Sequence, residues 1–294
     1  MTTNAILSRF DDLAVWKQGD QRAPHKPLLI LYALGRWQRG LAEVSFREAE
    51  PELTGLLREF GPPRKSDHPE QPFWHLQRDG VWTVTTPSDL PLKTGDTIPR
   101  VAALRSHDVR AGFSADVQAA LTADPTLAPR IAARILERHF PESLHPDILN
   151  AVGLVLESGP TQKKRDPKFR QRVLKAYEYR CAVCGFDVRL GAASIALDAA
   201  HIRWHQAGGP DTEVNGLALC VLHHKTFDLG AFTVADGVLL VSDQANGTTG
   251  FSESLMAFHG KPMRPPQHPD WQPAADHLSW HGREVFKGEA RHRA

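Results

Sequence analysis

Four potential metal ligands occur in two pairs, and this arrangement constrains the fold more than any other feature of the chain. Two residues separate Cys181 from Cys184, and two separate Cys220 from His223. Zn²⁺ takes sulfur and imidazole ligands in pairs of this spacing, because a tight turn directs both side chains at one tetrahedral ion. All three cysteines of the chain belong to these pairs. We therefore predict a structural Cys3His zinc site, since four protein ligands leave no open position.

The composition predicts an ordinary globular protein with two domains. The chain has 294 residues, 41% apolar and 23% charged, which is enough for two separate cores. Its net charge is only +1, so a surface that binds a polyanion must come from local clustering. The N-terminus lacks a signal-peptide pattern, and no apolar run approaches the roughly 18 residues of a membrane span. We therefore expect no membrane association and place the protein in the cytoplasm.

Residues 1–158 predict a mainly helical domain with a small hairpin. The run from Leu28 to Leu34 is apolar on almost every face, which predicts a central helix with Pro27 as its first residue. Helical patterns also cover residues 115–121, 128–139 and 145–156. The hairpin is predicted from residues 73–76 and 81–84, turned at Asp79-Gly80.

Two groups of polar residues in this half are candidates for anion or DNA contacts. Arg22, His25 and Lys26 surround the start of the central helix, where exposed N–H groups favour a phosphate. A proline-rich loop follows at residues 62–72, and its cationic residues can contact phosphates or base edges. The alternative for both groups is a solvated surface without a ligand.

Residues 159–167 predict a polar linker, and residues 168–294 predict the second domain. Between Lys163 and Arg180 there are eight Lys or Arg residues against two acidic ones, and an apolar side recurs at helical spacing. A helix with one basic face is suited to phosphate contacts. Beyond it we predict a strand over residues 194–202, a helix over residues 215–227 and a hairpin turned at Asp236-Gly237.

The segment from about Lys168 to Phe232, which contains AAHI, NGLALC and HH, resembles the HNH (ββα-metal) endonuclease superfamily. The resemblance implies that His201 is the general base, that Asn215 holds the ββα loop, and that His224 binds a catalytic Mg²⁺ or Mn²⁺. Many members have Asp before the base, where this chain has Ala200. Asp198 lies on the same side of the strand and is the candidate second metal ligand.

The adjacent histidines are divided between two metals. The Cys-x-x-His spacing gives His223 to the structural zinc, and the family pattern gives His224 to the catalytic ion. The resemblance thus implies an α+β chain in which a DNA-reading N-terminal domain precedes an HNH domain with a Cys3His zinc site.

The N-terminal half resembles the sulfur-binding domain that is fused to HNH nucleases in McrA-type restriction enzymes. The resemblance is carried by RAPHKPLL from Arg22 and by QPFWHL and DGVW further on. Such domains recognise phosphorothioated double-stranded DNA. The implied contact residues are Arg22, His25, Lys26, Arg64, Lys65, Ser66, His68, Gln71, Pro72 and His75, with the residues from Arg64 to His68 as candidates for reading bases.

Two other functions fit part of the pattern. An alternative to the sulfur-binding function is a nuclease whose N-terminal half reads methylated or unmodified DNA. Methylated bases are usually read in an aromatic cage, to which Trp74 and Trp82 could belong, but both alternate with apolar strand residues, which indicates core positions. The non-enzyme alternative is a zinc-stabilised DNA-binding regulator with an inactive HNH fold. Such a protein would not need His201, Asn215 and His224, and the presence of all three argues against it. One HNH site cuts one strand, so either a homodimer or sequential nicking would produce a double-strand break.

Overall fold

The computed structural model describes residues 3–15, 19–87, 90, 98–156 and 167–292. They form two compact units. The N-unit comprises Met1–Gly19 and Ala23–Thr161, and the C-unit comprises Asp20–Arg22 and Gln162–Ala294. The predicted linker lies outside the described residues except for Pro167. Within the described ranges, no helix combines the length and the apolar character that a bilayer crossing requires.

The N-unit is built around one buried helix. Its described helices are α1 (Thr3–Asp11), α2 (His25–Gln38), α3 (Phe46–Phe60), α4 (Glu70–His75), α5 (Val101–Ser106), α6 (Ala115–Ala123), α7 (Leu127–His139) and α8 (His145–Val152). Helix α2 contacts α3, α4, α7 and α8, and every residue from Pro27 to Gly35 is buried. A side chain at Gly35 would place its Cβ 2.1 Å from the carbonyl oxygen of Val152, so this glycine permits the close approach of α2 and α8.

The predicted start of α2 is wrong by two residues. The helix begins at His25 after Pro24, and Pro27 lies in its first turn. Proline is tolerated there because the first N–H groups of a helix have no partner within it. The start therefore brings His25 and Lys26 into the helix itself.

A three-stranded antiparallel sheet completes the N-unit, and it replaces the predicted hairpin. Strands β1 (Glu43–Ser45), β2 (Trp82–Thr85) and β3 (Arg110–Phe113) lie in the order β1-β3-β2. The segment predicted as the first strand of the hairpin is helical and belongs to α4. Phe73 and Leu76 are three residues apart and both buried, which is the spacing of one helix face. Strand β2 therefore takes β3 as its partner.

The C-unit contains the predicted ββα element. Its described strands are β4 (Arg189–Leu190), β5 (Ala193–Ser194), β6 (Leu197–His201), β7 (Gly216–Cys220), β8 (Phe232–Ala235) and β9 (Val238–Val241). Its described helices are α9 (Pro167–Ala176), α10 (Val221–Asp228), α11 (Thr249–Ser254) and α12 (Ala275–Glu284). Antiparallel strands β6 and β7 pair in a register that sets His201 opposite Gly216, and α10 follows β7 directly. The hairpin at Asp236-Gly237 is confirmed by the pairing of β8 with β9.

The predicted helix over residues 215–227 is only half correct. Gly216–Cys220 is a strand, and the helix begins at Val221. All five residues of β7 are buried, and a strand buried on both faces gives a continuous apolar run. Such a run does not distinguish a strand from a helix by its period.

His281 gives the stability of the C-unit a defined pH dependence. Its ring is fully buried and stacks on Phe227 with 3.7 Å between the ring centroids. Nε2 lies 3.1 Å from the carbonyl oxygen of Phe227, and Nδ1 lies 2.9 Å from the hydroxyl of Thr233. Burial lowers the pKa of His281 to about 4, against the opposing effect of the Phe227 carbonyl.

We expect the C-unit to lose stability as the pH falls from 6.5 towards 4. The unfolded chain takes up a proton on His281 near pH 6.5, whereas the folded chain does so only near pH 4. The neutral ring therefore stabilises the fold above about pH 6.5. Between about pH 7.5 and about pH 5 this one group lowers the free energy of unfolding by about 2 kcal/mol. Urea unfolding at both pH values measures it, with His281→Gln as the comparison. The same pH dependence in both proteins would contradict the assignment.

Candidate active site

His201, the last residue of β6, is held from two directions. Its Nε2 lies 2.7 Å from Oδ1 of Asp211, and its ring stacks on Phe169 with 4.1 Å between the ring centroids. A carboxylate accepts hydrogen bonds, so the neutral imidazole carries its proton on Nε2 and its basic lone pair on Nδ1. The arrangement suits a general base.

Asn215 is fully buried and organises the loop that follows β6. Its Oδ1 accepts a hydrogen bond from the backbone N–H of Arg203 at 2.8 Å. Its amide nitrogen donates to the carbonyl oxygens of Arg203 and Pro210, both at 2.9 Å. A Cβ at Gly209 would lie 2.8 Å from that amide, so the loop needs glycine at this position. These three hydrogen bonds are consistent with the predicted role of Asn215 in holding the loop.

His224 of α10 lies between two carboxylates. Its Nδ1 is 3.8 Å from Oδ2 of Asp198, and its Nε2 is 3.2 Å from Oδ2 of Asp228. Burial alone would lower the pKa of His224, but the nearby carboxylates of Asp228 and Asp198 raise it to about 9. The surroundings therefore favour a positive charge at this place. Carboxylate and imidazole ligands with room for water suit a hard ion such as Mg²⁺ or Mn²⁺.

Asp198 has the exposure that a ligand to an exchangeable ion requires. Its side chain is 43% exposed, and its Oδ1 lies 3.7 Å from Nε of Arg170. Because residues two apart in a strand share a face, Asp198 lies on the side of β6 that Ala200 also faces.

The four predicted zinc ligands lie together. Their donor atoms are within 4.8 Å of one another. Nδ1 of His223 is 3.1 Å from Sγ of Cys220 and 3.6 Å from Sγ of Cys181, and Sγ of Cys184 is 3.9 Å from Sγ of Cys220. Sulfur ligands of one tetrahedral zinc lie about 3.8 Å apart, given Zn–S bonds of about 2.3 Å. Nε2 of His223 lies 2.8 Å from the carbonyl oxygen of Ser254, which leaves Nδ1 as the nitrogen that would bind the ion.

The candidate DNA-binding residues of the N-unit fall into two groups, and the first contains Lys26 and His75. Lys26 lies 2.5 Å from Oδ2 of Asp79 and donates to the carbonyl oxygen of Ala14 at 2.7 Å. Burial lowers the pKa of His75, and the charges of Arg78 and Lys26 act in the same direction. Lys26 therefore has a structural partner at Asp79, and its charge acts on His75.

The second group joins His25 to the proline-rich loop. Burial lowers the pKa of His25 against a backbone hydrogen bond with Asp67, and the charges of His68 and Arg64 lower it further. Ion pairs of Asp67 with Arg58 at 2.8 Å and of His68 with Glu70 at 2.9 Å fix the end of the loop. The loop exposes Arg64, Lys65, Ser66 and His68, while Gln71 is half-buried and Pro72 is buried in α4.

Arg22 belongs to the C-unit, where its guanidinium lies 3.7 Å from the centroid of the Trp204 ring. One of its terminal nitrogens donates to the carbonyl oxygen of Glu284 at 2.8 Å. Its role in DNA binding stays a prediction.

Two residues at the HNH site were not predicted from the sequence: Phe169, which stacks on His201, and Asp211 at its Nε2. The position of Asp228, four residues after His224 in one helix, is a spacing that brings side chains together. Asp211 follows Gly208-Gly209-Pro210, and nothing in that loop sequence indicates where its carboxylate points.

Comparison with known families decides what the N-unit is. Residues 3–157 match the family described as ScoMcrA-like, DNA sulfur-binding domain, which is more than half of the chain. The chain belongs to this family. Residues 181–235 match the HNH endonuclease family, so a DNA sulfur-binding domain is joined here to a DNA-cleaving domain.

Solved structures with sulfur-binding domains are also similar. The chain is 25% identical to the "Sulfur binding domain of ScoMcrA complexed with phosphorothioated DNA", with a TM-score of 0.45, covering 50% of this chain and 94% of that one. For the "Sulfur binding domain of SprMcrA complexed with phosphorothioated DNA" the identity is 21%, the TM-score 0.43 and the coverage 52% and 95%.

The longer relatives extend beyond the similar region. The "Structure of the Type IV phosphorothioation-dependent restriction endonuclease ScoMcrA" is 26% identical with a TM-score of 0.44, and the match covers 55% of this chain but only 38% of that one. The match to a ScoMcrA structure with sulfur-binding and SRA domains covers 46% of it. Among curated proteins, none gives a significant match.

Proposed function

We propose that the protein is a type IV restriction endonuclease that recognises phosphorothioated double-stranded DNA and hydrolyses phosphodiester bonds nearby by a one-metal HNH mechanism. One observation carries the proposal. A chain of the sulfur-binding domain family also contains an HNH domain in which His201, Asn215 and His224 occupy the positions that such chemistry needs.

The residues of the C-unit divide the hydrolysis between them. Asp198 and His224 would hold a Mg²⁺ or Mn²⁺ ion, with Asp228 at the other nitrogen of His224. When bound, such an ion polarises the scissile phosphate and stabilises the charge on the departing 3′ oxygen. His201 takes a proton from the attacking water, and Asn215 keeps the loop in place. The products are 5′-phosphate and 3′-hydroxyl ends, and the zinc ion is structural.

We propose that the N-unit supplies the selectivity. Sulfur is larger and softer than the oxygen it replaces and is a poorer hydrogen-bond acceptor, so its recognition requires an apolar surface beside cationic groups. The half-buried His75 of α4 provides the apolar part together with any edge of the buried Pro72 ring that the sulfur reaches. His25 at the start of α2 provides a polar anchor, and Arg64 with its exposed loop neighbours reads the adjacent bases.

The packing of Trp82 disfavours a reader of methylated bases. Its indole N–H donates to the carbonyl oxygen of Phe73 at 3.0 Å, and its ring packs edge-on against Phe73 and Phe113. An aromatic cage needs a ring face that is available to a flipped base. Trp82 belongs to the core of the N-unit instead.

The proposal extends to the organisation of the protein. We place the boundary of the sulfur-binding domain at residue 158 and the start of the HNH domain at residue 168. A homodimer would supply two HNH sites for the two strands of one duplex. Since the substrate is cellular DNA, we propose that the enzyme acts in the cytoplasm.

We expect a phosphorothioated duplex to be cut at least about tenfold faster than an ordinary duplex of the same sequence, since a preference of about 1.4 kcal/mol for sulfur over oxygen corresponds to a tenfold ratio. Gel analysis of both duplexes with Mn²⁺ at limiting enzyme measures the ratio. Equal cutting of the two duplexes would leave a nuclease without sulfur selectivity.

A pair of arginine variants tests where the modification is read. Arg64→Ala removes an exposed side chain of the proline-rich loop and is expected to weaken binding of the modified duplex. Arg130→Ala is the matched control, because Arg130 is also exposed in the N-unit and pairs with Asp124 at 3.6 Å. A similar loss of affinity in both variants would indicate general charge attraction.

A further inference from the structure

The carboxylate of Asp211 lies within hydrogen-bond distance of His201. Oδ1 lies 2.7 Å from Nε2, and the side chains of His201 and Asp211 are 12% and 33% exposed. Since an ionised carboxylate has no proton to donate, the hydrogen bond exists only when Nε2 carries the proton. In the other tautomer, the lone pair of Nε2 would face a lone pair of the Asp211 carboxylate, and the two would repel each other.

The backbone around Asp211 is fixed from both sides. Asn215 donates to the carbonyl oxygen of Pro210 at 2.9 Å, and a terminal nitrogen of Arg172 donates to the carbonyl oxygen of Asp211 at 2.6 Å. Arg172 is in turn 3.1 Å from Oε1 of Glu213. Asn215 therefore does more than close the loop, because the loop it closes presents the carboxylate of Asp211 to His201.

Two ring neighbours of His201 act on the imidazole in a different way from Asp211. Phe169 contacts the flat face of the ring and has no charge, and the ring of His205 lies 6.1 Å from that of His201 in an edge arrangement. Both restrict the position of the imidazole. Neither selects which nitrogen is protonated.

We propose that Asp211 is a positioning residue that holds the proton of His201 on Nε2 and so reserves Nδ1 for the attacking water. The inference rests on the proposed role of His201 as the base. One O–H bond of the water breaks as its proton moves to Nδ1, and the water oxygen forms a bond to phosphorus. The bond from phosphorus to the 3′ oxygen breaks with its electron pair on that oxygen, which takes a proton from solvent to become the 3′ hydroxyl. The imidazolium formed in this step lies beside the carboxylate of Asp211, which stabilises its charge.

The amide variant Asp211→Asn separates the proposed role from general support of the loop. It keeps the size of the side chain but removes the charge and can donate to Nε2, which allows the unsuitable tautomer. Loss of the carboxylate in a comparable His–Asp pair of another enzyme costs about 10⁴ in rate. We expect the single-turnover rate with Mn²⁺ to fall by about 10²–10⁴-fold, with affinity for the duplex and half-saturating Mn²⁺ unchanged. Asp270→Asn is the control, because Asp270 also pairs with a histidine, His268, at 3.5 Å on an exposed segment.

Nitrogen-15 spectroscopy of histidine-labelled, zinc-loaded protein reads the tautomer directly, with His201 assigned by its absence in His201→Ala. Wild-type protein should show the proton on Nε2, and Asp211→Asn should show a shift towards Nδ1. A wild-type ring protonated on Nδ1, an unchanged rate in Asp211→Asn, or a raised Mn²⁺ requirement in that variant would each overturn the inference. Cleavage that survives in His201→Ala would instead remove the proposed base itself.

Discussion

Replacement of His201 by alanine is expected to lower the rate of Mn²⁺-dependent DNA cleavage by about 10²–10⁴-fold, the usual contribution of a positioned general base. The imidazole at the end of β6 is oriented by Asp211 and Phe169, so its removal takes away both the proton acceptor and its fixed geometry. Affinity for DNA should change little. Single-turnover cleavage with enzyme in excess measures the chemical step separately from binding.

The control is His268→Ala, since His268 is exposed and pairs with Asp270 at a different part of the C-unit. This variant should cleave at the wild-type rate. Cleavage by His201→Ala at a rate near that of the wild type would show that another group takes the proton from water.

The adjacent histidines of α10 give the second prediction, because their replacement should have opposite consequences. We expect His223→Ala to lose zinc and to unfold the C-unit, whereas His224→Ala should keep zinc and the fold but lose cleavage. Structural zinc contributes about 10–16 kcal/mol in small metal-stabilised domains, as much as the whole stability of a typical domain. His223 contacts the zinc cluster and His224 contacts Asp198 and Asp228.

Zinc content, circular dichroism and cleavage of the two variants provide the measurement. Each variant serves as the control of the other, since they remove the same side chain from neighbouring positions of one helix. Retention of zinc and fold in His223→Ala, or loss of zinc in His224→Ala, would overturn the division of the two histidines between the metals.

The zinc ligands could be found from the sequence because their signal is local. Each pair lies within four residues, and a knuckle of that length allows few other geometries. The order of strand and helix after Asn215 could not be found in the same way. Gly216–Cys220 is buried on both faces, and only its pairing with β6, which joins residues about 20 positions apart, makes it a strand.

The candidate sites show the same limit. A recognisable spacing identifies His201, Asn215 and His224. The proposed role of Asp211 has no such signal, because it depends on a loop that Asn215 and Arg172 hold in place. Lys26 was a candidate for DNA contact because cations at the start of a helix attract anions. Its proximity to Asp79 is a contact between residues 53 positions apart, and no local pattern predicts it.

The two metal sites differ in the number of protein ligands they offer, and this difference determines how fast each ion would exchange with solvent. Four residues would hold the zinc, and three of them are at most 6% exposed although Cys184 is exposed, whereas the catalytic ion would have two protein ligands, of which Asp198 is 43% exposed. A brief treatment with a chelator would therefore remove the catalytic ion long before the zinc. The folded protein could then be bound to intact DNA without cleaving it, and addition of Mn²⁺ would start cleavage in all complexes at the same moment.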